Sequence, residues 1–455
     1  MPSWVPLGLS FMAAVLRKEG HTVAIFDRCA WQAKANNDTD QVNQAMLRQI
    51  ETFQPDLIGL NTVSPLIYDT VECVDLIRRS YRGLLIAGGH HATALPELTL
   101  QKIPGLNGAV AGEGEHVIAR LAKGNDPVTI PGLWWRKNGG IVCGPPPEQI
   151  KDLDRLPLPA LDLLDMSFYT RPGLRGVRGY YLSTGSMLAS RGCVRKCEFC
   201  TESLTYGRGV RYHSPEYVAE WAGKMIADYG VEGIYFHDNN FLLDRDWVER
   251  VCAEFLKKGI NKKVKWSIQA RADCIEEDLL KTLQRAGCVQ VEIGVESSFQ
   301  QHLDSVDKRT TVEMNEQALA LCRKVGLNVH VYMIIAFEDE GLRDLEQKLN
   351  WLKKNRPATF DWSVLGIYPG TALYLKKGND FFARQEWTEA RILPYYQQGL
   401  SGVMDWEERR QWLRRHFFPY QKWQHRRHVL RVNGIDKIIR LLWTKAKREL
   451  KRPVL

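Results

Sequence analysis

The sequence predicts an α/β chain with three parts: an N-terminal doubly wound domain, a partial β/α barrel of TIM-like type, and a helical C-terminal tail. Three observations predict it. Short apolar runs alternate with amphipathic stretches through the first third, and apolar strands separated by helices imply a parallel sheet covered on both faces. A second alternating series runs from about Tyr180 to Ile367. Beyond about Phe382 the strand pattern stops, and the residues become helical and basic.

A chain of 455 residues has room for several domains. Its 44% hydrophobic and 25% charged content excludes a disordered chain, a collagen-like repeat and a small disulfide scaffold. No stretch approaches the ~18 uninterrupted apolar residues of a membrane-spanning helix. Met1 to Arg17 lacks a basic start, an apolar run and a small-residue cleavage site, so no secretory signal is expected. Ten cysteines without export point to reduced thiols or metal ligands. The expected compartment is the cytoplasm. Ser401 to Leu455 carries 15 Lys or Arg against 5 Asp or Glu, a balance of +10, so the other 400 residues sum to −1.

In the first domain the strand candidates are Thr22–Asp27, Leu57–Asn61, Leu84–Gly88 and Gly108–Gly112. Leu9–Glu19, Gln41–Thr52 and Asp69–Tyr81 are the helices between them. Several strands end in Gly, Asn or Asp, as expected where a loop crosses the sheet edge to meet a ligand. Leu133–Arg136 and Gly140–Cys143 flank a Lys-Asn-Gly-Gly turn and read as a hairpin. Asp152–Asp165, with its two prolines, is a linker. The expected boundaries are residues 1–143 for the first domain, 144–175 for the linker, 176–385 for the barrel and 386–455 for the tail.

The barrel strands are Met187–Ser190, Gly233–His237, Lys265–Ala270, Val289–Val295, Asn328–Ile335 and Asp361–Ile367. Pro215–Tyr229, Trp247–Lys258, Glu277–Ala286 and Thr311–Val325 are helices between them. The chemistry of such a barrel sits at the C-terminal ends of its strands. There, after the first strand, Arg191 to Cys200 reads RGCVRKCEFC, which sets Cys193, Cys197 and Cys200 in a C-x3-C-x2-C spacing. Thiolates select zinc or iron–sulfur clusters. Three thiolates without an obvious fourth ligand do not suit structural zinc, which takes four. They suit a [4Fe–4S] cluster with one iron open. An unconventional zinc loop or a chance grouping is the bland alternative.

This cysteine loop resembles that of the radical S-adenosylmethionine (SAM) superfamily, with Phe199 as the aromatic before the last cysteine. The resemblance implies that Cys193, Cys197 and Cys200 hold the cluster and that Phe199 contacts the adenine of SAM. It further implies that the open iron chelates SAM and that electron transfer yields a 5′-deoxyadenosyl radical, with an external donor of flavodoxin or ferredoxin type. Tyr212–Glu216, Tyr235–Phe241, Gln269–Asp273, Gly294–Ser297 and Tyr368–Thr371 match the family region by region over about residues 180–380. By that match Asp238 lies near the SAM amino group, Arg271 meets a carboxylate, and Glu296 bonds the ribose hydroxyls. The bland readings are a turn cap for Asp238 and structural salt bridges for Arg271 and Glu296. The fifth strand departs from the family's Gly-Pro-Gly-Glu-like turn with Ile335-Ala336-Phe337-Glu338-Asp339. Glu338 is retained there, and a remodelled turn beside adenine is expected.

Pro6–Leu9, Gly20–Val23, Gly88–Thr93 and Gly112–Glu115 resemble the cobalamin-binding domain that precedes one branch of this superfamily. The resemblance implies a flavodoxin-like, cobalamin-binding fold. Asn61, Thr62 and Ser64 would face the lower side of cobalt, with Gly88, Gly89, His90, Gly112 and Glu113 as further contacts. No Asp-x-His-x-x-Gly motif occurs, so His90 or His91 is at most a contact. A strand order of 2-1-3-4-5 needs a central strand before the Pro6-Leu7-Gly8 turn, and Met1–Val5 is too short to supply it. Either the natural reading frame begins upstream or the sheet forms without that strand, which would expose sheet edges.

The tail interleaves seven aromatics between Trp406 and Trp443 with arginines. It reads as a helical cap on the barrel, as a membrane-surface contact, or as a nucleic-acid binder. No recognised RNA-binding module occurs. The resemblance implies a cobalamin-dependent radical SAM enzyme that methylates an unactivated carbon or phosphorus centre of a small or amphiphilic substrate. The alternatives are oxidative ring closure of the magnesium-protoporphyrin ester cyclase type, a radical SAM enzyme that no longer binds cobalamin, and a non-catalytic cluster scaffold. The substrate pocket is expected between the first domain and the barrel mouth.

Overall fold

The computed structural model describes residues 4–377, 380–400 and 402–450, leaving aside the side chains of 398 and 444–450. The first sheet runs in sequential order through β1 (Leu57–Asn61), β2 (Leu84–Gly88), β3 (Gly108–Val110), β4 (Leu133–Lys137) and β5 (Gly140–Cys143). Strands β1 to β3 are parallel, and the expected hairpin β4–β5 joins β3 antiparallel. Thr22–Asp27, expected as a strand, forms no ladder, and β1 is the sheet's edge. No described strand lies between that segment and β1, so its backbone has nothing to pair with. Side chains hold it instead: Tyr169 donates its hydroxyl to Asp27, and Gln49 Nε2 donates to the Ile25 carbonyl at 3.5 Å.

The second half holds β6 (Thr184–Met187), β7 (Ser190–Cys193), β8 (Gly209–Tyr212), β9 (Gly233–Phe236), β10 (Lys265–Ala270), β11 (Cys288–Glu296), β12 (Asn328–Ile335) and β13 (Thr359–Val364). Six of these form a parallel sheet in the order β13-β12-β11-β10-β9-β6, an open partial barrel. Helices cover its outer face for local reasons. The helix Pro215–Tyr229 starts where the Ser214 side chain accepts from Tyr217 N, and Gly230 ends it in a left-handed conformation. Its buried Val218, Ala219, Ala222 and Met225 recur at helical spacing and face the sheet.

The expected first barrel strand, Met187–Ser190, spans a bend instead. β6 ends at Met187, the chain turns through Leu188 and Ala189, and β7 begins at Ser190 and pairs with β8. Asp238, just past the end of β9, causes this. Its fully buried carboxylate accepts from Ala189 N at 3.1 Å and from Ser190 Oγ at 2.5 Å.

The main core joins the barrel to the helix Leu7–Lys18 through Leu7 and Phe11, and to the linker through Ile150, Leu153 and Leu156. A second core unites the first sheet with Phe382, Trp387 and Ile392 from beyond the barrel. Leu413 and Phe417 of the tail enter the main core, and Phe417 packs edge-on against Phe360 of β13 at 5.2 Å. Among the described residues no helix is long and apolar enough to cross a membrane.

Candidate functional site

Cys193 ends β7, and Cys197 and Cys200 follow in the loop before the short helix Glu202–Tyr206. All three thiols are partly buried. The loop is pinned on both sides: Glu198 N donates to Val306 O at 2.9 Å, and Leu373 N donates to Glu198 O at 2.9 Å. Phe199 packs with Val306, Ile334, Phe337 and Leu373, at the ends of β12 and β13.

Cations crowd the thiols. Arg271 Nη1 lies 3.7 Å from Cys197 Sγ, and Arg195 N donates to Cys193 Sγ at 3.4 Å. Burial pushes the Cys200 thiol up to about 12. Burial also raises Cys197, opposed by Lys308 and Arg271. Among the described residues no three His, Cys, Asp or Glu converge on a single-ion site, and a four-iron cluster does not require them to. Soft thiols on one loop, backed by buried cations, form a donor set that fits a cluster carrying net negative charge.

The expected SAM-binding residues surround this loop with partners of their own. Arg271 grips Asp273 through Nε at 3.0 Å and Nη2 at 3.2 Å, and also donates to Lys308 O at 2.7 Å. The carboxylate it clamps in this structure is therefore Asp273, which Arg195 also reaches at 2.8 Å. Glu296 sits at a bulge that ends β11, with φ +61°, and pairs with Lys308 at 2.6 Å. A non-glycine residue in that conformation is uncommon. Asp238 gives its oxygens to the β6–β7 bend, and burial raises its carboxyl to about 6. Glu338 is exposed and meets Lys377 at 2.7 Å. The buried acid of that turn is Glu340, which accepts from Ala336 N and Lys348 Nζ. Ala336 takes φ +67° there without the expected glycine.

In the first domain the expected residues gather at the C-terminal ends of β1 to β3. Asn61 pairs with Gly88 across the β1–β2 ladder. Thr62 donates through Oγ1 to Gly88 O at 2.8 Å and accepts from Ala92 N at 3.1 Å. Gly89 has φ +100°, and a side chain there would strike Asn61 and the Thr62 backbone. Gly112 has φ +86° and donates its N–H to Thr93 Oγ1 at 3.1 Å. Ser64 Oγ lies 2.9 Å from Nδ1 of His91, a fully buried ring whose Nε2 has no partner. These amide, hydroxyl and backbone groups at adjoining strand ends fit a large amide-rimmed ligand such as a corrinoid.

Two contacts join this edge to the cysteine loop. His90 Nδ1 meets Thr205 Oγ1 of the helix after the cysteines at 2.9 Å. Glu113 accepts from Arg191 at 2.7 Å, from Arg211 at 2.7 Å and from Ile150 N at 2.9 Å. Glu115 takes the other side of Arg191 at 2.6 Å. Glu113 is thus spent on β7 and β8, the two strands that flank the cysteine loop. Sequence reasoning missed Glu115, Arg191, Arg211, Lys308 and Glu340. Arg191 is adjacent to the motif and could have been suspected; the others carry no local pattern.

Inside the barrel, Arg178 bridges Glu292 at 3.1 Å, Asp361 at 2.7 Å and Tyr332 at 2.7 Å. Above them Trp4 stacks on Tyr235 at 4.6 Å and meets the edge of His237 at 4.8 Å. His237 Nε2 is buried without a partner.

Fold and site together define a partial barrel with a three-cysteine loop suited to an iron–sulfur cluster, and a doubly wound domain docked beside that loop. Comparison with known proteins agrees. The radical SAM superfamily model matches residues 187–352, and the B12 binding domain matches residues 2–122. An uncharacterized methyltransferase of Pyrococcus horikoshii is 29% identical over 374 residues, covering 81% of this chain and 77% of that protein. The anaerobic magnesium-protoporphyrin IX monomethyl ester cyclase of Cereibacter sphaeroides is 27% identical over 383 residues, covering 82% of this chain and 60% of its own length. The radical SAM methyltransferase TsrM of Kitasatospora setae, solved with cobalamin and a [4Fe–4S] cluster, shares the fold. Its TM-score is 0.67 at 18% identity, over 82% of this chain and 72% of that one. The chain belongs to the radical SAM superfamily, in the branch that carries a B12-binding domain ahead of the barrel. It is an enzyme, with a domain of the type that uses SAM and a domain of the type that binds B12.

Proposed function

We propose that this enzyme transfers a methyl group from SAM, by way of cobalamin, to an unactivated carbon or phosphorus centre of a small or amphiphilic substrate. When bound, the cluster and SAM supply a 5′-deoxyadenosyl radical and cobalamin supplies the methyl group. The observation that carries the reading is the direct docking of the first domain's strand ends on the helix after the cysteines, through His90 and Thr205. Methyl transfer to a substrate radical requires both cofactors to face one small, dry space, and this contact brings the two candidate cofactor edges side by side.

The residues divide the work. Cys193, Cys197 and Cys200 hold the cluster, and Phe199 presents an apolar face to adenine. Lys308 and Arg271 offset the negative charge of the thiolates. Glu296, held by Lys308, is oriented to accept from ribose hydroxyls. Asn61, Thr62, Ser64 and the backbone at Gly88, Gly89 and Gly112 border the corrinoid, while Glu113 locks the two domains in register. Trp4, Tyr235 and the neutral His237 line the barrel interior and are the groups we assign to substrate contact there. An external one-electron donor of flavodoxin or ferredoxin type reduces the cluster.

The test is reconstitution without oxygen using iron, sulfide and hydroxocobalamin, followed by SAM labelled on its methyl group. Stoichiometric cobalt, 5′-deoxyadenosine and label in the product are the expected results. Stoichiometric cobalt with unlabelled, ring-closed product would replace methylation by oxidative cyclisation, as in the cyclase relative. Absence of cobalt would remove the two-cofactor reading.

A further inference from the structure

The end of the barrel opposite the cysteine loop, where the strands begin, has a surface that no part of the radical chemistry uses. A groove of about 1220 Å³ runs between the helix Phe418–Val432 and the beginnings of β12 and β13. Its walls carry Arg323, Lys353, Arg356, Arg427 and Arg431, and no Asp or Glu. None of the five forms an ion pair among the described residues. Two are steadied by neutral partners: Arg323 donates to Asn355 O, and Arg431 donates to Asn328 Oδ1 at 2.6 Å. Arg427 lies over the Trp423 ring at 4.6 Å, and Lys353 lies 5.9 Å from the Tyr420 ring centroid. Five cations held in one concavity without counter-charge repel each other, and an anion relieves that repulsion.

The next helix, Ile435–Leu450, leaves the same end of the barrel. Lys437 ties its first turn to Glu232, just ahead of β9, at 3.1 Å. Ile435, Ile439 and Leu442 are 78%, 60% and 59% exposed. Their spacing of four and three residues puts them on one stripe of the helix, and Trp443 beside them is also exposed. An apolar stripe that faces water next to a basic groove is the pattern of a helix that lies in a lipid interface.

We propose that this end of the molecule docks on a bilayer of anionic phospholipid. The groove cations take lipid phosphates, and Ile435, Ile439, Leu442 and Trp443 enter the boundary between headgroups and acyl chains. Charge favours this occupant over a second copy of the chain, because two such faces brought together would repel. The aliphatic stripe favours it over nucleic acid, whose phosphates would engage the cations and leave the stripe in water. The docked barrel turns its cysteine loop away from the membrane, so docking localises the enzyme rather than feeding lipid into the barrel mouth.

The test uses the full chain with its cofactors and reads sedimentation with vesicles, which involves no catalysis and is separate from the proposed reaction. Vesicles of phosphatidylcholine alone are compared with vesicles that also contain phosphatidylglycerol, across a salt series. At least roughly tenfold stronger partitioning to the anionic vesicles is expected, lost as salt shortens the screening length. The double variant Ile439→Asp, Leu442→Asp should lose binding to both vesicles. Arg356→Glu with Arg427→Glu should lose only the preference for anionic lipid. All four side chains are exposed, so the fold is expected to survive, and the salt series on the unaltered chain stands without the variants. Equal, salt-independent sedimentation with both vesicles overturns the proposal. So does saturable binding of inorganic phosphate or of a labelled RNA without vesicle binding, or a dimer in light scattering that the double variant abolishes.

Discussion

Cys197 sits under opposing pressures, since burial raises its thiol while Lys308 and Arg271 pull it back toward the thiolate, the form the proposed cluster requires. Individual Cys193→Ala, Cys197→Ala and Cys200→Ala changes should each reduce 5′-deoxyadenosine formation to background and bleach the visible absorption of the reconstituted cluster. A variant that keeps both would end the cluster assignment. Lys308 answers to Glu296 as well as to the thiol. Removing one member of a buried ion pair costs ~3 kcal/mol or more, whereas neutralising both is far cheaper. Lys308→Met should therefore lower stability by about that much in denaturant unfolding. Glu296→Gln added to it should restore most of the loss, and a double variant as unstable as the single one would contradict the pairing. At this scale the placement of the three cysteines on one loop was legible, because it follows from their spacing alone. Lys308 was not, because its partner is 12 positions away and meets it only through a bulge.

Strands and helices carry a different message. The parallel runs β10 and β12 and the helix Pro215–Tyr229 have the bounds their apolar periodicity predicts. Each is decided by a local pattern and buried on the side that pattern marks. Some strands shift their ends, as where the expected Asp361–Ile367 is Thr359–Val364, and two differ outright because of neighbours that sequence does not reveal. Thr22–Asp27 has strand composition without a partner strand, and Met187–Ser190 is broken by Asp238 from 48 to 49 residues away. The Glu113–Arg191–Glu115 bridge is the element-scale device that sets the first domain against the cluster loop. If Arg191→Met is made, Arg211 still reaches Glu113 at 2.7 Å, so the loss falls on Glu115. Burial raises that carboxyl, and Arg191 more than offsets it. Thermal unfolding should register a loss of ~3–5 kcal/mol, with Glu115→Gln recovering part of it in the same background. No change on Arg191→Met would mean that the bridge does not hold the domains together.

Acid should weaken the molecule as a whole. Burial holds His91 at about 3 and His213, His237 and His428 at about 4, against the usual 6.5. Each value lies below that of the unfolded chain, so the unfolded state takes up the extra protons. Stability is whole above pH 6.5 and falls as pH drops toward 4, by up to ~1.4 kcal/mol per pH unit for each ring. Asp238 works against this trend: raised from 3.8 to about 6, its contribution is full below 3.8 and lost as pH rises through 6. Burial also raises Glu292 but lowers His302 and His330, so the rings outweigh the two carboxyls and the unfolding midpoint should fall steadily with acid across that window. A flat profile would show that these histidines are not buried as described. Amide exchange should divide the molecule in a parallel way. β11 lies between two strands and is mostly buried, while β1 is an edge strand and only half-buried. The Leu57–Asn61 amides should therefore exchange before those of β11.

By itself, the sequence determined the α/β class, the order of the barrel elements, the spacing of the cysteines and the basic character of the tail. Each of these is written in a spacing of two, three or four residues or in a composition, and such signals survive without knowledge of what lies across space. Only the tertiary structure decided which carboxylates remain available and which are spent. Glu113 goes to Arg191 and Arg211, Arg271 to Asp273, and Asp238 to a bend in the chain. It also decided that the tail divides, with Phe417 buried against the barrel and Ile435 left facing water. A charge or an apolar side chain takes its role from whichever partner the fold brings within a few ångströms, and that partner is seldom a neighbour in sequence.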